Sequence, residues 1–288
     1  MAEAHGGYYI PHGTRWPIMG SIGLTCLLGG FAELLNGHSF GGYMMIIGVL
    51  IVIGMMFGWF GTVIRESESG TYNSQVDLSF RWGMGWFIFS EVMFFGAFFG
   101  ALYYARVFAV PWLGGEGTKF DTNALLWPSF EATWPTNGPG HIGGAFESMP
   151  AWGIPALNTL ILLSSGVTVT LAHWALKSNK RFQFSAWLFA TIALGATFVT
   201  LQAHEYIHAY TEMNLTLHAG VYGSTFFLLT GFHGAHVTIG AIMLTVMFLR
   251  SLKGHFTPDH HFAFEAAAWY WHFVDVVWLG LFIFVYWL

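Results

Sequence analysis

Seven long apolar runs constrain this chain more than any other feature. They cover approximately residues 17–36, 40–64, 81–106, 152–176, 183–208, 219–250 and 264–287. At about 1.5 Å of rise per residue, a helix of roughly 20 residues crosses the hydrocarbon core of a bilayer. The expectation is an all-α integral membrane protein with seven transmembrane helices. Composition agrees: 55% of the 288 residues are hydrophobic and 9% charged, against about 25% charged in a typical soluble domain. Mean hydropathy is +0.55. The sixth run is long enough to tilt or to project beyond the membrane.

Seven spans place the two ends on opposite sides, so lysine and arginine decide the orientation. The amino-terminal side collects Arg15, Arg65, Arg81, Lys177, Lys180, Arg181, Arg250 and Lys253, whereas Arg106 and Lys119 fall on the other. That bias predicts an amino terminus in the cytoplasm, or in the matrix of an organelle. The opening MAEAHGGYYIPHGTRWP carries acidic and polar residues where a cleavable leader would be basic, so the first helix is expected to be retained. Cys26, the single cysteine, cannot form an internal disulfide and reads as a packing residue. A net charge of -5 without basic patches argues against nucleic acid as a partner.

The one long connection, about 107–151, holds Pro111, Pro128, Pro135, Pro139 and Pro150 interleaved with Trp112, Trp127 and Trp134. Its prolines argue against a continuous helix, and its tryptophans suit a loop at headgroup level. The expected organisation is an amino-terminal segment with two helices to residue 64, a connection at 65–80 and a five-helix block over 81–288. GxxxG pairs at Gly54/Gly58 and Gly96/Gly100 permit close helix packing.

Polar residues inside the spans are the functional candidates. Glu91, in FSEVMFFGAFFG, lies ten residues beyond Arg81 and therefore near midplane. A charged carboxylate there is costly, so Glu91 is expected to be protonated or paired, with the adjacent Ser90 and groups on neighbouring helices as partners. Either a reactive acid or a hydrogen-bonding strut fits. The sixth run carries His233 and His236 on one face, and the seventh carries His272 and Asp275, also three apart. With HFTPDHHF at 255–262 these histidines invite a metal or haem reading, but interhelical hydrogen bonds fit them better. Arg65, Glu66, Arg250, Lys253, His255, His260 and His261 share the cytoplasmic side by topology, a setting suited to anionic lipid headgroups. Glu205 and His208 read as an interfacial pair.

Several phrases, in order, resemble subunit 3 of the haem–copper cytochrome c oxidases: VIRES at 63–67, SEVMFF at 90–95, LNTLILLSSGVTVTLAH at 157–173, YGSTFFLLTGFHGAHV at 222–237 and HHFAFEAAAWYWHFVDVVWL at 260–279. The resemblance implies two helices standing apart from five around a V-shaped cleft filled with phospholipid. It implies a subunit that carries neither haem nor copper, both of which belong to partner subunits 1 and 2. Glu91 matches the family's buried carbodiimide-reactive glutamate, and Arg65, Glu66 and the 250–261 group match its headgroup-contacting region. The histidines, Ser90 and Asp275 become packing and hydrogen-bonding residues.

Further implications are direct packing on subunit 1, contact with subunit 2 and small accessory subunits, and structural phospholipids, anionic or zwitterionic. Cytochrome c would act on the assembled complex, in a bacterial plasma membrane or a mitochondrial inner membrane. The family's core reaction and proton pumping proceed without this subunit, whose part is packing, lipid retention, proton supply and sustained turnover. Trp174 stands where the family commonly has a second histidine, and the 107–151 loop keeps only LGG at 113–115 and WPTNG at 134–138 of the usual phrases. Competing readings are the corresponding subunit of a quinol oxidase, a proton-coupled transporter using Glu91 and Asp275, and a metal-dependent membrane enzyme.

Overall fold

The computed structural model describes residues 13–288; most of the opening polar stretch read for a leader lies outside them. The described residues are helical without strands: α1 (Trp16–Leu35), α2 (Phe40–Glu68), α3 (Ser74–Tyr104), the short α4 (Val110–Leu113) and α5 (Phe120–Leu126), then α6 (Ile154–Lys177), α7 (Arg181–Thr211), α8 (Gly220–Leu252) and α9 (Phe262–Leu281). Among the described residues seven helical stretches are long and apolar enough to cross a membrane, as the sequence predicts. Two boundaries differ from the expectation. The third stretch begins at Ser74, seven residues before the Arg81 taken as its edge. At its other end the helix continues through a π-helical segment at Ala105–Ala109 into α4, to Leu113. Pro111 follows directly on the π-helical segment, two residues before the helix ends at Leu113.

The chain divides into two compact units at Phe80/Arg81. In the first, α1 and α2 pack as an antiparallel hairpin whose close approach requires glycine. A Cβ at Gly30 would lie 2.7 Å from the Gly41 carbonyl oxygen, and one at Gly48 2.5 Å from the Leu27 nitrogen. Small residues therefore do hold helices together here, but at Gly23, Gly30, Gly41 and Gly48. Gly54, Gly96 and Gly100, three of the four GxxxG glycines singled out from sequence, have open space within this chain.

The second unit is built around α9, which packs on both α8 and α6, while α7 joins α6 to α8. Trp271 and Trp278 are fully buried at its centre. A Cβ at Gly195 of α7 would meet the Trp271 ring at 2.6 Å, and one at Gly240 of α8 would meet it at 2.9 Å. The indole Nε1 of Trp271 donates to Ser165 Oγ of α6 at 2.8 Å, so one side chain keys three neighbouring helices. The 107–151 connection is not merely draped at the surface. Tyr222 N donates to the Thr136 carbonyl at 3.2 Å, and Asn214 Nδ2 donates to Gly143 and Ala145 carbonyls at 3.0 and 2.8 Å, fixing the loop to the α7–α8 turn.

Candidate functional site

Glu91 emerges from α3 toward α8, where its Oε2 lies 2.9 Å from His236 Nε2. The other ring nitrogen, Nδ1, is 2.6 Å from the Phe232 carbonyl oxygen. A carbonyl only accepts, so Nδ1 carries a hydrogen. The second bond then needs one proton, held by either Glu91 or His236, and in both forms the pair is neutral overall. The surroundings are aromatic: Phe95 meets the imidazole edge-on at 5.0 Å, and Tyr270 stacks on it at 6.3 Å with 16° between planes. Side-chain exposures of 14% for His236 and 22% for Glu91 leave a small window onto the outer surface. Ser90 is not the partner; its hydroxyl donates to the Phe87 carbonyl at 2.7 Å.

His233, one turn from His236, is fully buried. Its Nε2 donates to the Val274 carbonyl at 3.1 Å, and its ring packs against both Phe198 and Trp278, which also touch each other. It ties α8 to α9. His272 follows similar logic. Thr170 Oγ1 donates to the Gly166 carbonyl at 2.9 Å, leaving it to accept from His272 Nε2 at 3.3 Å. His272 Nδ1 then faces Asp275 Oδ2 at 3.6 Å, too long for a hydrogen bond. The expected His272–Asp275 pair therefore exists as neighbours without a short bond.

Glu205 corrects the sequence reading outright. It is 1% exposed and is not hydrogen-bonded to His208: its Oε1 accepts from Tyr286 Oη at 2.6 Å and from Gln202 Nε2 at 3.1 Å. His208 instead faces Glu212 at 3.2 Å. Buried carboxylates recruit donors wherever the fold supplies them, and Tyr286 lies at the far end of the chain. The i, i+3 spacing of Gln202 and Glu205 is the only local signal for this cluster.

At the end of the bundle holding the α8–α9 turn, Arg81 Nη1 donates to Glu265 Oε2 at 2.7 Å, with the guanidinium over the Phe262 ring. His261 Nδ1 bonds the Thr257 carbonyl at 3.1 Å, so its Nε2 accepts from His173 Nε2 at 3.2 Å. Arg250, proposed to meet headgroups, is 7% exposed and lies over the Phe256 ring. Lys253 and His260 are exposed, and His255 is half-buried. In the first unit Arg65 is exposed and donates to Thr62 Oγ1 at 3.2 Å, while Glu66 accepts from Tyr72 at 2.7 Å. Among the described residues no three His, Cys, Asp or Glu side chains converge as a metal-ligand set.

The fold and these polar groups define a multi-pass α-helical membrane protein in which several acids and histidines, among them Glu91, Glu205, His233 and His236, are bonded between helices. A sequence model described as "Cytochrome c oxidase subunit III" matches residues 6–288. Relatives bearing the name "Cytochrome c oxidase subunit 3" include those of Dugong dugon and Hippopotamus amphibius, 41% and 42% identical over 288 residues, covering 100% of this chain and 99% of each relative. That of Marchantia polymorpha is 43% identical over 284 residues, 97% of this chain and 96% of the relative. The chain belongs to the cytochrome c oxidase subunit III family.

Proposed function

We propose that the chain is the accessory, non-redox third subunit of an aa3-type cytochrome c oxidase, the complex that reduces oxygen to water while pumping protons. The family match across residues 6–288 carries this reading. Subunit 1 would pack directly against it, with subunit 2 and small accessory subunits in the same complex and cytochrome c as electron donor. Haem and copper would reside in subunits 1 and 2. The chain would sit in a bacterial plasma membrane or a mitochondrial inner membrane, its amino terminus on the cytoplasmic or matrix side.

Its own contribution is packing, retention of phospholipid and support of proton supply and sustained turnover. Two features favour a structural part. Glu91 and His236 are hydrogen-bonded to one another, and Tyr286 donates to one oxygen of Glu205, ties between helices of the kind that buried polar groups supply to a fold. Meanwhile only 11% and 6% of the α1 and α2 windows are buried within the chain, leaving broad apolar faces for lipid or for neighbouring subunits. Lys253, His260 and Arg65 are the exposed members of the group assigned to headgroups.

Affinity purification in mild detergent, with partner identification and an optical spectrum on one sample, tests the assignment. Co-purification of oxidase subunits 1 and 2 with haem and copper is the expected result. A colourless chain without partners, from membranes that keep other complexes intact, would overturn it.

A further inference from the structure

α6 and α9 leave between them a groove of about 460 Å³ on the outside of the second unit. Leu163, Val167, Val276 and Leu279 form apolar walls, and Thr170, Trp174, His272 and Asp275 are the lining residues with polar side-chain atoms. Val167 and Val276 are 61% and 67% exposed, so the walls face outward. Gly166 lies directly under the Asp275 carboxyl, where a Cβ would collide with Oδ2.

Asp275 is 6% exposed; its Oδ1 is enclosed within the chain without a partner, and its Oδ2, the oxygen open to the groove, has only His272 at 3.6 Å. A carboxyl so placed costs stability unless something donates to it. Depth decides what that can be. Asp275 lies 13 residues from the start of α9, and Gly166 lies 12 from the start of the antiparallel α6. Both are therefore about 18–20 Å from a helix end, near the bilayer midplane. A phospholipid headgroup does not reach there, and an acyl chain has no donor. A second transmembrane helix has the right shape, and a serine, threonine, asparagine or tryptophan on it supplies the donor.

We propose that the α6–α9 groove is a docking surface for a transmembrane helix of another subunit, which presents a hydrogen-bond donor to Asp275 at mid-membrane. Resting on the assignment to an oxidase complex, this names where in the chain one partner contact lies. Gly166 makes room for the Asp275 carboxyl at the bottom of the groove, and the Asp275–His272 pair there fixes the register of the docked helix.

Photo-cross-linking in intact membranes tests it, with a benzophenone-bearing phenylalanine replacing Val276 or Val167, one at a time. The expected products join this chain to a transmembrane segment of a different protein. Adducts with phospholipid alone at both positions, or with a second copy of this chain, would overturn the proposal. Because cross-linking precedes solubilisation, a protein adduct other than an oxidase subunit rejects the complex assignment while supporting the groove. Lipid adducts in a preparation that still yields subunits 1 and 2 reject the groove alone. In the purified complex, Asp275→Leu should weaken retention of the chain about 3- to 15-fold, the range of one intramembrane hydrogen bond. Asp275→Asn, which keeps an acceptor oxygen, should restore most of it; equal retention of all three chains would overturn the proposal.

Discussion

Glu91 Oε2 of α3 and His236 Nε2 of α8 meet across 2.9 Å in one hydrogen bond, with the orientation of the imidazole set by the Phe232 carbonyl. The bond couples two helices separated by 145 positions in sequence. Glutamine at position 91 can still donate to Nε2 from its amide, so Glu91→Gln should hold α3 on α8. Glu91→Ala leaves His236 without its partner and opens a void, a loss of about 2–4 kcal/mol. Thermal unfolding of the solubilised protein should rank wild type, Gln and then Ala. Equal losses in both variants would show that the carboxylate itself, not the hydrogen bond, is what α8 requires.

Trp271 makes the sharpest packing prediction. Trp271→Ala should cost about 3–5 kcal/mol, because its void faces α6, α7 and α8 together. Gly240→Ala attacks the same contact from the other side by placing a methyl against the ring, costing about 1–3 kcal/mol. Denaturant titration in detergent micelles measures both. Because the two substitutions share the ring, Gly240→Ala should cost much less in a Trp271→Ala background.

The seven spans were legible because each is a run of apolar residues with a physical length, and length is a local property. The pairings were not. Arg81 reads as a helix boundary because an arginine ordinarily marks one; α3 instead begins at Ser74, where Asn73 Oδ1 accepts from Val76 N at 3.0 Å, and Arg81 lies inside the helix, bonded to Glu265 184 positions away. Glu205 reads as a partner of His208 because sequence shows only neighbours, whereas the fold brings Tyr286 to it from the opposite end of the chain. The family phrases identify which residues belong to the pattern, but not that Glu91 meets His236. The helix contacts at Gly30 and Gly48 were hidden in a chain with 36 glycines, where GxxxG spacing alone does not distinguish a packed glycine from an open one.

That difference between glycines is testable. Gly48→Ala forces a methyl to 2.5 Å from the Leu27 backbone nitrogen, whereas Gly96→Ala meets open space within the chain. The first should loosen the α1–α2 hairpin by about 1–3 kcal/mol. Protease accessibility of the Asn36–Ser39 turn should rise in Gly48→Ala and stay at the wild-type level in Gly96→Ala. Equal behaviour would mean that α1 and α2 do not approach as closely as the glycines allow.

Arg81 and Glu265 close the bundle at the end of α9 with a 2.7 Å bond whose side chains are 33% and 17% exposed. Exposed ion pairs contribute little, about 0.2–1 kcal/mol, because water and salt screen them. This pair is partly withdrawn from water and backed by the Phe262 ring, so its coupling should exceed that range, at about 1–2 kcal/mol. A double-mutant cycle with Arg81→Gln and Glu265→Gln isolates the term from the losses that each substitution causes alone. If the coupling also falls only slightly between low and moderate salt, the pair is shielded as its burial indicates. A coupling that vanishes with added salt would place the pair in open solvent.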